Sequence, residues 1–153
     1  MTREDGVVEG RMKADSLAAL KAGDKRRASA LRLYVAALKR ERIDAGKQPT
    51  EADELAVLAR ERKRRQESLE TYAAAGRSDL ADQERYELEV LEAYMPAPLD
   101  DGELAALVEE AVTAAGAASP REMGKVMALV MPRVAGRADG RRVSDAVRAR
   151  LGG

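Results

Sequence analysis

No regular α-helix passes through Met95-Pro96-Ala97-Pro98. Each proline removes a backbone donor and biases the residue before it towards extended backbone. Core on one side of this segment must therefore be built separately from core on the other. The chain reads as two domains, residues 1–95 and residues 99–153. Within both, apolar residues recur at spacings of three and four, the period of an amphipathic helix. Composition points the same way. Among 153 residues there are four Tyr, no Phe and no Trp, so the apolar set is mostly Ala, Leu, Val and Met. Such side chains suit close helix packing better than a pleated sheet. The expected fold is all-α: an N-terminal helical bundle followed by a small C-terminal three-helix bundle.

Seven helices are predicted. The first runs over about 7–22, with Val8, Met12, Ala19 and Leu20 along one stripe and Gly23 as its stop. The second covers about 24–45 through Leu31, Tyr34, Val35, Leu38 and Ile43, and ends at Gly46. Thr50 is an N-cap for the third, whose first turn carries Glu51, Asp53 and Glu54, where the helix dipole favours acids. Ser78 is expected to cap the fourth, which runs to Tyr94. Beyond the prolines, Asp100 and Glu103 form a capping box, with Leu99 and Leu104 as a hydrophobic staple. A second box, Ser119-Pro120-Arg121-Glu122, opens a sixth helix ending near Pro132, and Asp139 caps a seventh.

Several chemistries are excluded by residue type. With no Cys there is no disulfide, thiol nucleophile or thiolate metal site, and with no His the commonest general base and metal ligand are missing. Six serines are present, but none lies in a Gly/Ser-rich elbow of the kind that presents a nucleophile. Carboxylates such as Glu84, Glu87 and Glu89 read as the solvated face of a polar helix. Gly124-Lys125-Val126 lacks the upstream glycine and the hydroxyl residue of a phosphate loop. No catalytic residues, metal site or cofactor are expected. No apolar run approaches the ~18 residues needed to span a bilayer, and Met1–Gly10 is polar, unlike a signal peptide. A cytoplasmic location is the expectation.

Charge is balanced overall, 27 basic against 27 acidic residues, but unevenly placed. Residues 11–47 hold 11 basic and 4 acidic side chains, residues 67–110 hold 2 and 13, and residues 120–153 hold 8 and 3. Either the basic ends pair with the acidic middle, or they present a local positive field. The run Arg60, Arg62, Lys63, Arg64, Arg65 spreads around its helix and reads as solvated, with Glu61 and Glu67 as local partners. The C-terminal group is better focused. Lys125, Arg133, Arg137, Arg141 and Arg142 are expected to gather around one glycine-containing turn that leads into a helix N-terminus. Those are the parts of a phosphate contact, and this group is the candidate RNA-binding site.

Ser119–Met127 and Met131–Val143 resemble the GatB/YqeY domain. Upstream, residues 21–25, 31–32, 75–80 and 89–96 are similar to stand-alone YqeY-like proteins, while the extension before Arg11 matches least. The resemblance implies a two-domain helical fold whose second domain is similar to the tail of the B subunit of tRNA-dependent amidotransferase. It implies a role for Lys125, Arg137 and Arg141 in holding RNA. Family labels include a carbon–nitrogen ligase with glutamine as amido donor. The tail is not the catalytic part of that enzyme, however, and no segment here resembles its catalytic cradle or its glutaminase signature. The expected function is a non-catalytic accessory that binds tRNA or a tRNA-charging or amidotransferase complex. The alternative is a helical protein–protein adaptor, docking through its sixth or fourth helix.

Overall fold

A computed structural model describes residues 4–152, and among these every regular element is helical. The chain divides into two compact units, Met1–Met95 and Pro96–Gly153.

The first unit holds α1 (Val7–Lys21), α2 (Lys25–Ala45), α3 (Glu51–Ala74) and α4 (Ser78–Glu92). Two tight hairpins, α1 on α2 and α3 on α4, pack together mainly through α2. Met12, Leu31, Tyr34, Leu58 and Leu91 form the centre of the core. The buried Tyr34 hydroxyl donates to the Glu87 carbonyl oxygen at 2.7 Å, which ties α2 to α4. Thr50 and Asp53 form a reciprocal capping box on α3, as expected from their spacing.

The start of α1 is held differently. Its N-cap is Gly6, which has no side chain to offer the first amides. The Glu54 carboxylate accepts from Val8 N at 3.1 Å and Glu9 N at 2.8 Å instead. It fits so closely that a Cβ on Gly6 would collide with the Glu54 carboxylate. The sequence position of Glu54 suggests service to its own helix dipole; the fold uses it as the cap of another helix.

The second unit holds α5 (Asp101–Ala115), a 3-10 turn (Pro120–Glu122), α6 (Met123–Val134) and α7 (Gly140–Gly152). Val126, Val130, Val134, Val143 and Val147 are fully buried, and Leu99, Leu104 and Val108 join them. Asp100 and Glu103 form the expected capping box, and the Asp139 carboxylate accepts from Arg142 N at 2.8 Å.

Local patterns fail at a few positions. Arg77, not Ser78, is the N-cap of α4, with no side-chain cap bond. Pro120 opens a 3-10 turn before α6 begins, and α6 continues through Pro132 to Val134. Pro132 lies in the last turn, where losing one donor interrupts little. Leu20 and Ile43 are 43% and 57% exposed rather than in the core. Glu87, expected to be solvated, is buried against Arg65.

Candidate nucleic-acid interface

The geometry of the C-terminal unit follows from two ion pairs. Asp101 meets Arg142 at 2.8 Å, and Glu109 meets Arg150 at 2.5 Å. Both pairs step eight residues along α5 and along α7, so these helices lie side by side and run in the same direction. The helix between them in sequence, α6, therefore returns the opposite way. Its two ends lie apart, and this separates the predicted cluster. At about 1.5 Å per residue, the path from Lys125 to Val134 spans roughly 13 Å. Lys125 sits at the start of α6, away from the α6–α7 turn that carries Arg137, Arg141 and Arg142.

The arginines near the turn are mostly engaged. Arg137 Nε donates to Ala97 O at 2.9 Å, and its guanidinium lies 3.6 Å from Glu103. Arg137 O accepts from Leu99 N at 2.8 Å. Arg142 donates to Leu99 O at 2.7 Å as well as to Asp101. These two residues fasten segment 97–101 across the turn. Arg133 pairs with Glu110 on α5 at 2.5 Å. Arg141 is different. It is exposed in the first turn of α7, and among the described residues no carboxylate lies within ion-pair distance of it. Lys125 and Arg121 are likewise exposed, with no ion pair among the described residues. Lys125 still acts at longer range, since the Glu122 carboxyl is held below its usual range by the Ala118 and Ser119 amides, with a smaller contribution from Lys125.

The unit as a whole thus carries its own counter-charge. Helix α5 supplies acids without a single base, and four of them (Asp101, Glu103, Glu109 and Glu110) take partners from the basic segment that follows. The basic C-terminal stretch is paired to this degree within its own fold.

The central basic run is also more engaged than its pattern implies. Arg65 pairs with Glu87, Glu61 and Glu84, and Arg62 lies 3.6 Å from Glu92. Arg60 reaches Glu41 at 3.3 Å. Glu61 is a local partner as expected, whereas among the described residues Glu67 forms no ion pair with the run. Arg65 stacks over Tyr34, 4.9 Å from the ring centroid, and burial pushes the Tyr34 hydroxyl well above its ordinary pKa. The interior charges Glu9, Arg42 and Glu54 escape a reading of the sequence. Only a glycine at the N-cap of α1 hints that a distant carboxylate is needed there.

Among the described residues, no group of three or more acidic side chains has metal-binding geometry, and no helix is long and apolar enough to cross a membrane. Residues 9–151 match the family model described as Yqey-like protein. The chain belongs to the YqeY-like family. No curated protein matches it. In this YqeY-like chain the match begins at Glu9, so it takes in the buried Glu9–Arg42 pair and leaves out Asp5 and Gly6. At the other end it takes in Arg121, Lys125 and Arg141, the exposed cations of the C-terminal unit that have no carboxylate partner among the described residues.

Proposed function

We propose that this YqeY-like chain is a non-catalytic accessory that binds structured RNA, tRNA first among candidates, through phosphate contacts on its C-terminal unit. The observation that carries the reading is Arg141. It remains exposed and, among the described residues, without a carboxylate beside the glycine-containing turn, where its neighbours are neutralised. Arg121 and Lys125 add free charge at the other end of α6, while Arg137 and Arg142 hold the turn in shape. The resemblance of this unit to the amidotransferase tail supports tRNA as the RNA and gives no reason to assign amide transfer to the chain. A cytoplasmic setting accompanies the reading. Binding through phosphates would be salt-dependent and tolerant of sequence, because the unit has no aromatic residue on which a base could stack.

The test is titration of the protein into labelled total tRNA, followed by fluorescence anisotropy at several salt concentrations. Binding should weaken linearly in a log–log salt plot, and Lys125→Glu with Arg141→Glu should weaken it about tenfold or more at low salt. No binding by wild type at low salt rejects the reading. An adaptor role is the second reading, because α6 leaves Leu129 42% and Met131 38% exposed. A partner retained through nuclease treatment, together with no tRNA binding, would put it first.

A further inference from the structure

Helix α2 carries more unpaired charge than the C-terminal turn, where Arg141 alone has no carboxylate partner among the described residues. Its outward face is built on a seven-residue repeat. Ser29, Ala36 and Ile43 run down the middle, opposite the buried Leu31, Tyr34 and Leu38. Lys25, Arg32 and Lys39 lie along one side of this line, and Leu33 and Arg40 along the other. All four cations are exposed, and among the described residues none lies within ion-pair distance of a carboxylate. One acid, Asp44, stands exposed at the C-terminal end of the Leu33–Arg40 side, and none stands on the middle line or on the side of Lys25, Arg32 and Lys39. Glu41 is held by Arg60 at 3.3 Å, and Asp24 caps the helix. Each seven-residue step rises about 10.5 Å, so Lys25, Arg32 and Lys39 mark out roughly 21 Å of straight positive edge.

We infer that this face of α2 is a phosphate-binding surface for double-helical RNA. The inference rests on the RNA reading above and adds to its C-terminal contact a second one on the N-terminal unit. The middle line decides among polyanionic partners. An acidic amphipathic helix would need several large apolar anchors to dock in water, and the line offers Ser29 and Ala36 with Ile43 alone as a large side chain. A membrane surface would need an apolar face to insert, and Leu33 and Ile43 are isolated among cations. Single-stranded RNA would need stacking platforms, and no aromatic residue lies on the face. A duplex asks for none of these, because its backbone is recognised by shape and by phosphate contacts.

The probe is a labelled RNA duplex of roughly 16 base pairs. Two triple variants of the full chain remove equal charge: Lys25→Gln/Arg32→Gln/Lys39→Gln on α2, and Arg121→Gln/Lys125→Gln/Arg141→Gln on the C-terminal unit. All six positions are exposed, and far-UV circular dichroism checks the fold of each variant. The α2 triple should lose about tenfold or more in affinity at low salt. Its log–log salt slope should fall by about 2–3, at roughly 0.7–0.9 for each phosphate no longer neutralised. The single variant Arg32→Gln should lower the slope by about one such step. If the α2 triple binds like wild type while the C-terminal triple loses affinity, the α2 surface is rejected and the RNA reading survives. A loss equal to that of the α2 triple in a control triple of exposed, already paired cations, Arg64→Gln/Arg85→Gln/Arg148→Gln, also rejects it, as the mark of net charge alone. If wild type fails to bind the duplex at low salt, both fall, as they do if it binds only phosphatidylserine vesicles or a Glu-rich helical peptide.

Discussion

The two units of this chain place charge in opposite ways. The N-terminal unit buries it: Glu9, Arg42, Glu54 and Glu87 are all at most 9% exposed, and each is hydrogen-bonded or ion-paired. Among the described residues, the C-terminal unit buries none. Its core is valine, leucine and alanine, and its ion pairs lie on the surface around it. A buried charge cannot lose its partner without leaving an uncompensated group in the interior, whereas a surface pair exchanges one contact for water. Charges in the first unit's core are therefore committed to structure. Those on the second unit's surface are available to another anion.

The largest effect expected from this contrast is at Glu54. Glu54→Ala removes the acceptor for two buried amides of α1, and Gly6 has no side chain that can replace it. The loss should be roughly 3 kcal/mol. All four tyrosines lie in residues 1–95, so tyrosine fluorescence during urea unfolding reports on the N-terminal unit alone. A loss below about 1 kcal/mol would mean that water reaches these amides easily, and the contrast between the units would weaken.

A smaller effect, with a sign set by pH, is expected at Glu84. Its carboxyl is pushed above its usual range mainly by burial and then by the neighbouring Glu87 charge, with Arg65 opposing. One of its oxygens is buried without a hydrogen-bond partner. A raised carboxyl pKa means that the folded state favours the protonated form. Ionised Glu84 therefore costs stability above its folded pKa, and the cost disappears as pH falls below the unfolded value of ~4.3. Glu84→Gln should stabilise the N-terminal unit at pH 7, with a gain that shrinks towards zero near ~pH 4. A gain that grows on acidification would show that the Arg65 pair outweighs the burial of Glu84.

The same contrast explains what is legible in the sequence. Helices, most of their stops and three caps (Thr50, Asp100 and Asp139) depend on neighbours within four residues, and the sequence shows those neighbours directly. The role of Glu54 depends on α1, more than 40 residues away, and nothing in its own helix announces it. Glu87 is missed for the same reason: its partner Arg65 is 22 residues distant, so the local pattern shows only another acid on a polar helix. The candidate RNA site is half legible. The arginines stand out, but spacing does not reveal which carboxylate each meets, nor that antiparallel packing puts Lys125 at the far end. On α2 the charge excess is visible in the count over residues 11–47. Its concentration on one outward face is visible only once Leu31, Tyr34 and Leu38 are seen to point inward.

The smallest effect expected is at Arg133. Its pair with Glu110 is half exposed on both sides, at 54% and 59%, so Arg133→Ala should cost under about 1 kcal/mol. The C-terminal unit has no aromatic residue, so the measurement is the far-UV circular dichroism transition, with the tyrosine signal expected not to move. A larger cost would mean that the pair holds α5 and α6 together, and Arg133 could not then be given up to a ligand. A small cost has the opposite implication. Where a carboxylate contributes so little, a phosphate can take its place at almost no loss to the fold. The pairing of Arg133 in the free protein would then be a resting arrangement and no obstacle to RNA contact. Arg137 and Arg142 differ, because they also bond backbone carbonyls of segment 97–101 and cannot turn to a new partner without releasing it.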